Sequence, residues 1–234
     1  IGNFVPGILD FSRALELDPR IADQVYNKVY QISYVVDLNR VITEMNKIVA
    51  DHPKVSHVVF LRGFFYVAYT EFKQASDDIL LRGIEDFNRC LELNPEHVTA
   101  YLYRSFLYSM LGSRRTEPAK GAPKDEWDLD EDPSGDLLSS RSECFARALE
   151  DLEQALELDP KSGIAHYLRA LHWARRASEA GIDASEQRSR QERALESLRT
   201  SFETEFAGFE RVRNERAFNS VRGLPEYEEL MRGK

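Results

Sequence analysis

The segment GIEDFNRCLELNP, residues 83–95, carries the pattern that decides the fold of this 234-residue chain. Two other segments repeat it, GILDFSRALELDP at 7–19 and ALEDLEQALELDP at 148–160. In each, a small residue precedes a large apolar one by four positions, a second small one follows after three, and Pro follows after five more. The matching residues are Gly7, Phe11, Ala14 and Pro19; Gly83, Phe87, Cys90 and Pro95; Ala148, Leu152, Ala155 and Pro160; and, in a degenerate copy, Val41, Met45, Ile48 and Pro53.

This spacing predicts a helix that packs closely against another helix. Residues at i, i+4 and i+7 share one helix face, and small side chains on that face let a neighbouring helix approach. Pro cannot continue a helix interior, so Asp-Pro or Asn-Pro ends one helix and begins the connection to the next. The repeated segment therefore predicts one helix of a recurring pair.

The segments that follow each Pro share a second pattern, in which Arg precedes a small residue and an aromatic residue comes three positions later. This pattern predicts the partner helix of each pair, with the small residue at a tight helix–helix contact. Its members are Arg62, Gly63 and Tyr66; Arg104, Ser105 and Tyr108; Arg169, Ala170 and Trp173; and, more weakly, Lys28, Val29 and Ile32.

Two antiparallel helices per 34 residues, with these small, aromatic and Pro positions, resemble the tetratricopeptide repeat (TPR). The resemblance covers nearly the whole chain. It implies an all-α, right-handed superhelical solenoid of helix hairpins that acts as a non-catalytic scaffold.

The resemblance divides a single TPR domain, 1–234, into repeats and one insertion. Pro53 and Pro95 are 42 residues apart, and we expect the additional eight residues to lengthen two helices. The tail resembles the closing segment of bacterial TPR arrays, and we expect its last helix to begin at Pro225. The parts are an orphan second helix (6–19), a repeat (22–53), an elongated repeat (56–95), a repeat with an acidic loop insertion at 113–140 (98–160), a degenerate repeat (163–206, its second helix beginning near 187) and a C-terminal cap (207–234).

In the TPR family, two positions of each first helix line the concave groove. The resemblance therefore implies a partner-binding groove made of Tyr26, Tyr30, Phe60, Phe64, Leu102, Phe106, Tyr167 and Leu171. Such an aromatic groove is suited to apolar side chains of a peptide or helix. Two alternatives stay open: these residues pack within the array, or the 113–140 loop fills the groove. The recurring basic residues have two explanations, recognition of acidic groups or ion pairs between repeats; they are Lys28, Arg62, Arg104 and Arg169.

No residue constellation indicates catalysis or a cofactor, because the chain contains no GxSxG, HExxH, Walker or GxGxxG motif. Its five histidines are scattered. Asp128, Asp130 and Asp132 alternate as in a calcium loop, but Pro133 and Ser139 stand where Gly and Glu would be needed. We expect no enzyme activity, no cofactor and no metal.

Charge and hydropathy restrict the partner further. The net charge of -9 argues against nucleic acid. No run of eighteen apolar residues would span a membrane. Two separated cysteines, Cys90 and Cys144, fit a reducing, cytoplasmic environment.

The leading functional hypothesis is a scaffold that binds a protein or peptide in the aromatic groove. The alternative is a recruitment or self-association module cut from a larger bacterial signalling enzyme, such as a serine/threonine kinase. The chain begins at Ile1 without Met and with an unpaired helix, which indicates a fragment. The uncovered N-terminal face would then permit a homo-oligomer.

Overall fold

The computed structural model describes residue 10 and residues 37–72, 76–115, 140–204, 206 and 208–232. The chain divides into two compact units, Ile1–Arg115 and Thr116–Lys234. The first contains α1 (Leu38–Asp51), α2 (Ser56–Phe72), α3 (Asp77–Leu93) and α4 (Val98–Arg114). The second contains α5 (Arg141–Leu158), α6 (Gly163–Arg176), α7 (Ala184–Glu203), α8 (Phe209–Asn214), a 3₁₀ helix (Arg216–Ser220) and α9 (Pro225–Met231).

The predicted all-α class is confirmed for the described residues, which form helices and no strand. The predicted orphan helix 6–19 lies outside them except for Asp10, which is helical. The first helix of the predicted repeat 22–53 and most of the acidic insertion also lie outside. The predicted repeat 98–160 extends across the boundary between the two units.

Three helices end in the same way, at the residue before a proline. The backbone N–H of His52 donates to Ile48, that of Asn94 to Cys90, and that of Asp159 to Ala155, each at 2.8–2.9 Å. The chain then turns through three residues before the next helix begins. Because Pro has no N–H to donate and disfavours the helical conformation before it, the helix ends at that point.

The predicted elongated repeat, 56–95, consists of two long helices. Both α2 and α3 contain 17 residues, against 14 in α1, and only residues 73–76 separate them. The two helices pack along their length in the first unit.

The repeated small and apolar positions that fall within the described residues lie in the core. They occupy one face of each second helix, where the period of 3.6 residues places them together. The buried members are Val41, Met45 and Ile48 on α1, Gly83, Phe87 and Cys90 on α3, and Ala148, Leu152 and Ala155 on α5.

Two glycines set the closest approach between α2 and α3. A Cβ atom added to Gly63 would lie 2.9 Å from Cε1 of Phe87 and 3.1 Å from Cβ of Asp86. A Cβ atom added to Gly83 would lie 3.3 Å from Cβ of Tyr66 and 2.6 Å from Cδ1 of Leu107 on α4. Gly83 therefore lets α3 contact both neighbouring helices, and no larger residue fits without displacing one of them.

The second unit closes around α6. Its core joins α6 and α7 to Val212, Phe218, Val221 and Tyr227 of the C-terminal segment, so the segment covers apolar side chains of both helices. That it closes a repeat array, as expected for 207–234, stays a prediction. The last helix begins at Pro225, as expected. The helix expected near residue 187 begins earlier, at Ala184, because Asp183 caps it by accepting a hydrogen bond from the N–H of Glu186.

The close approach of α2 and α3 predicts the effect of one added methyl group. Gly63→Ala forces a Cβ atom against the fully buried Phe87 ring. Overpacking costs about 1–3 kcal/mol, and the better helix propensity of Ala offsets about 1 kcal/mol of it. We expect a net loss of about 1 kcal/mol in the free energy of unfolding, measured by urea denaturation.

Gly223→Ala is the matched control, because its added Cβ would meet no atom within 4 Å. We expect it to change stability by less than about 0.5 kcal/mol. Equal stability of Gly63→Ala and the wild type would show that α2 and α3 do not meet closely at this point.

Candidate functional site

The predicted groove residues occupy different environments. Tyr26 and Tyr30 lie outside the described residues. Phe106, on α4, is half-buried. The other five are buried: Phe60, Phe64, Leu102, Tyr167 and Leu171.

In the first unit, Phe60 and Phe64 belong to an aromatic cluster. The Phe60 ring stacks on His97 at a centroid distance of 4.6 Å and lies 5.5 Å from Phe87. Phe64 meets the Tyr103 ring edge-on at 5.0 Å. Aromatic pairs at these separations add to the burial energy of the rings. These two phenylalanines are therefore core residues of α2, and no ligand reaches them without moving their neighbours.

In the second unit, the C-terminal segment covers Tyr167. The Phe206 ring stacks on Tyr167 at 4.6 Å, and the Arg211 guanidinium carbon lies 5.5 Å from the same ring. Phe218 and Leu171 belong to the same core. Burial raises the pKa of the Tyr167 hydroxyl, and the nearby Arg211 opposes part of that rise. The chain's own residues thus fill the place where a ligand was expected.

The burial of these five residues agrees with the alternative in which the groove positions pack within the array. Their role in binding stays a prediction that needs a conformational change. Phe106 is the described groove residue whose side chain is still partly accessible, and Tyr103 and Met110 of α4 are also half-buried.

The recurring arginine of the first helices forms hydrogen bonds with other residues of the chain. Arg62 donates to both carboxylate oxygens of Asp86, from Nε at 2.8 Å and Nη2 at 2.5 Å, and to Asn46 Oδ1 at 3.1 Å. The hydrogen bond that Arg62 donates to Asp86 raises the pKa of Arg62. Burial raises the pKa of the Asp86 carboxyl, and Arg62 counters part of that rise. Asp86 is in the same predicted repeat as Arg62, whereas Asn46 is in the preceding one.

The equivalent arginines make related contacts. Arg104 donates to Asn88 Oδ1 at 2.7 Å, and Asn88 stands sixteen residues before it, as Asn46 does before Arg62. Arg169 donates to Ser197 Oγ at 3.1 Å. These contacts support structural bonding between helices as the role of the recurring arginine.

Two histidines form a buried pair that the sequence reasoning missed. His97 Nε2 lies 3.3 Å from His57 Nδ1, and His97 Nδ1 accepts the backbone N–H of Ala100 at the start of α4. With Nδ1 accepting, a neutral His97 carries its proton on Nε2 and donates it to His57. Burial, and then the proximity of His57, lower the pKa of His97 to about 4. The sequence offered one signal: both histidines stand at a helix start, 40 residues apart.

The two cysteines, Cys90 and Cys144, are both buried. Burial raises the pKa of the Cys90 thiol to about 12, so that side chain behaves as an apolar core group. No three His, Cys, Asp or Glu side chains come together within these ranges to hold a metal ion. Among the described helices, none combines the length and apolar character that crossing a bilayer requires.

Comparison of the chain with models of known protein families finds no match, and comparison with curated proteins finds none either.

The His57–His97 pair predicts a loss of stability in acid. The folded pKa of His97 is about 4 against an ordinary 6.5, so the unfolded chain binds more protons between these values. Stability therefore falls as pH decreases from about 6.5 to about 4, by up to roughly 3 kcal/mol from this group. Urea denaturation at several pH values between 7.5 and 4.5 measures the slope.

The His97→Asn variant isolates the contribution of His97 to the pH dependence, because Asn caps a helix but does not titrate. We expect the slope of stability against pH to become shallower in His97→Asn and to be unchanged in His52→Asn, which replaces an exposed histidine. Burial and nearby arginines also lower the pKa of His172, to about 3, so part of the slope persists. An unaltered slope in His97→Asn would contradict the prediction.

Proposed function

We propose that the chain is a TPR-like helical-repeat scaffold that binds a peptide or helix of another protein and catalyses no reaction. The observation that best supports this proposal is the recurrence of one local arrangement of residues. The same helix ending before Pro at 53, 95 and 160 is followed, in the next helix, by a buried small residue, which is Gly63, Ser105 and Ala170 in turn. Repeat proteins of this kind present extended surfaces for partners.

Among the described residues of the predicted groove, Phe106 is the accessible one, and it lies in a stripe on α4 with Tyr103 and Met110. Tyr103, Phe106 and Met110 are spaced i, i+3 and i+7, which places them on one side of the helix. All three are half-buried, so each has apolar area to offer. The Met110 sulfur accepts a hydrogen bond from Thr70 at 3.6 Å, which ties the stripe to α2.

The chemistry of this stripe favours an apolar anchor on the partner. Aromatic side chains supply large contact area with little rotamer freedom to lose, and Met adapts to irregular surfaces. The arginines of the array are already bonded to Asp86, Asn88 and Ser197. The proposed partner is therefore a peptide or helix with bulky apolar side chains.

Photo-crosslinking tests the surface directly. A photoreactive phenylalanine analogue in place of Phe106 is irradiated in a lysate, and bound proteins are identified by mass spectrometry. The same analogue in place of Leu158, an exposed large apolar residue of α5, is the control. We expect one protein to be crosslinked by the first and not by the second.

A pair of alanine variants separates surface from core. Phe60→Ala removes a fully buried ring and should lower the free energy of unfolding by about 3–5 kcal/mol. Phe106→Ala removes a half-buried ring, so we expect a smaller loss of stability together with loss of the crosslinked partner in pull-downs. If Phe106→Ala still captures that partner at wild-type levels, the α4 surface is not the binding site.

A further inference from the structure

The C-terminal cap contains a shallow cavity of about 510 Å³. The end of α8, the turn after the 3₁₀ helix and α9 contribute its walls. Its lining residues are Arg213, Arg222, Tyr227, Glu228, Met231 and Arg232.

Arg222 is fixed in place at this cavity. Its Nη2 donates to the backbone carbonyls of Arg213 and Glu215, and its Nη1 donates to Asn219 Oδ1 at 2.6 Å. A guanidinium has five N–H groups, so Nε–H and one N–H of Nη1 have no part in these bonds. The guanidinium is thus pre-oriented, and a ligand would order only the other arginines.

Arg213 and Arg232 complete a cationic lining. Arg213 pairs with Glu210 at 2.8 Å, on the exposed side of α8, where such a pair contributes little. Glu228 is the acidic residue of the lining, so three guanidiniums face one carboxylate. This excess of positive charge contrasts with the net charge of -9 of the chain.

We propose that this cavity binds the phosphate of an organic phosphate monoester. Three lining arginines, less Glu228 and the Glu210 carboxylate that pairs with Arg213, leave a charge of +1, which attracts a phosphate monoester that carries about -1.5 to -2 at neutral pH. The planar guanidinium fork matches phosphate oxygens better than an ammonium group does. Tyr227 and Met231 supply an apolar wall against which the carbon part of the ligand packs. The inference stands on the cap alone and does not rest on the α4 surface.

Phenyl phosphate is the probe, because it joins a dianionic phosphate to an apolar ring. Its binding to the full chain is followed by NMR or calorimetry beside inorganic phosphate and benzoate. We expect phenyl phosphate to bind more tightly than benzoate, which carries one charge, and to weaken as salt is added. If phenyl phosphate binds more tightly than inorganic phosphate, the site also recognises the organic part of the ligand. Equal affinity for the two would overturn that part of the proposal.

Variants locate the site. Arg213→Gln and Arg232→Gln each remove one charged contact near the surface, worth about 1 kcal/mol or about fivefold in affinity. Arg199→Gln, at an exposed arginine of α7 outside the cavity, is the matched control and should bind as the wild type does. The proposal is overturned if phenyl phosphate does not bind, or if Arg199→Gln weakens binding as much as the two lining variants.

Discussion

The first unit depends on how closely α2 and α3 approach one another. At Gly63 and Gly83 the two backbones come so near that an added methyl group meets Phe87, Tyr66 or Leu107. This proximity brings the flanking side chains into contact. Arg62 reaches the buried carboxylate of Asp86 one position away from that crossing, and Phe60 reaches Phe87. Glycine is unfavourable inside a helix, so the contacts that it permits must supply more stability than the helix loses.

The same proximity explains why Phe60 and Phe64, two of the predicted groove residues, are buried. When two helices meet closely, the side chains beside the contact also come within reach of their neighbours. Phe60 and Phe64 then complete a cluster with His97 and Tyr103. In the second unit, Phe206 and Phe218 cover Tyr167 in an equivalent way. Large apolar area left exposed is unfavourable in water, so the chain's own aromatic residues take the place of a ligand.

The described helices from α1 to α7 and their core faces could be predicted from the sequence, because both depend on local spacing, whereas α8 and the 3₁₀ helix were not predicted. Pro53, Pro95 and Pro160 mark helix ends, and the small residues mark buried faces regardless of what lies further along the chain. The accessibility of the candidate site could not be predicted in this way. Whether Tyr167 is open depends on Phe206 and Arg211, which approach it only after α7 and the cap have folded. No local sequence pattern predicts where the C-terminal segment packs against the preceding helices.

The two polar features that the sequence did not reveal have a common physical origin. The His57–His97 contact and the arginine-lined cavity both bring together residues from separate elements, at positions with no shared period. A repeat pattern identifies the residues that pack in the same way in each copy. Residues that depart from it are free to differ between copies. The half-buried stripe on α4 and the cationic cavity of the C-terminal segment are accessible, so they are better candidates for recognition than Phe60, Phe64 and Tyr167, which other residues of the chain cover.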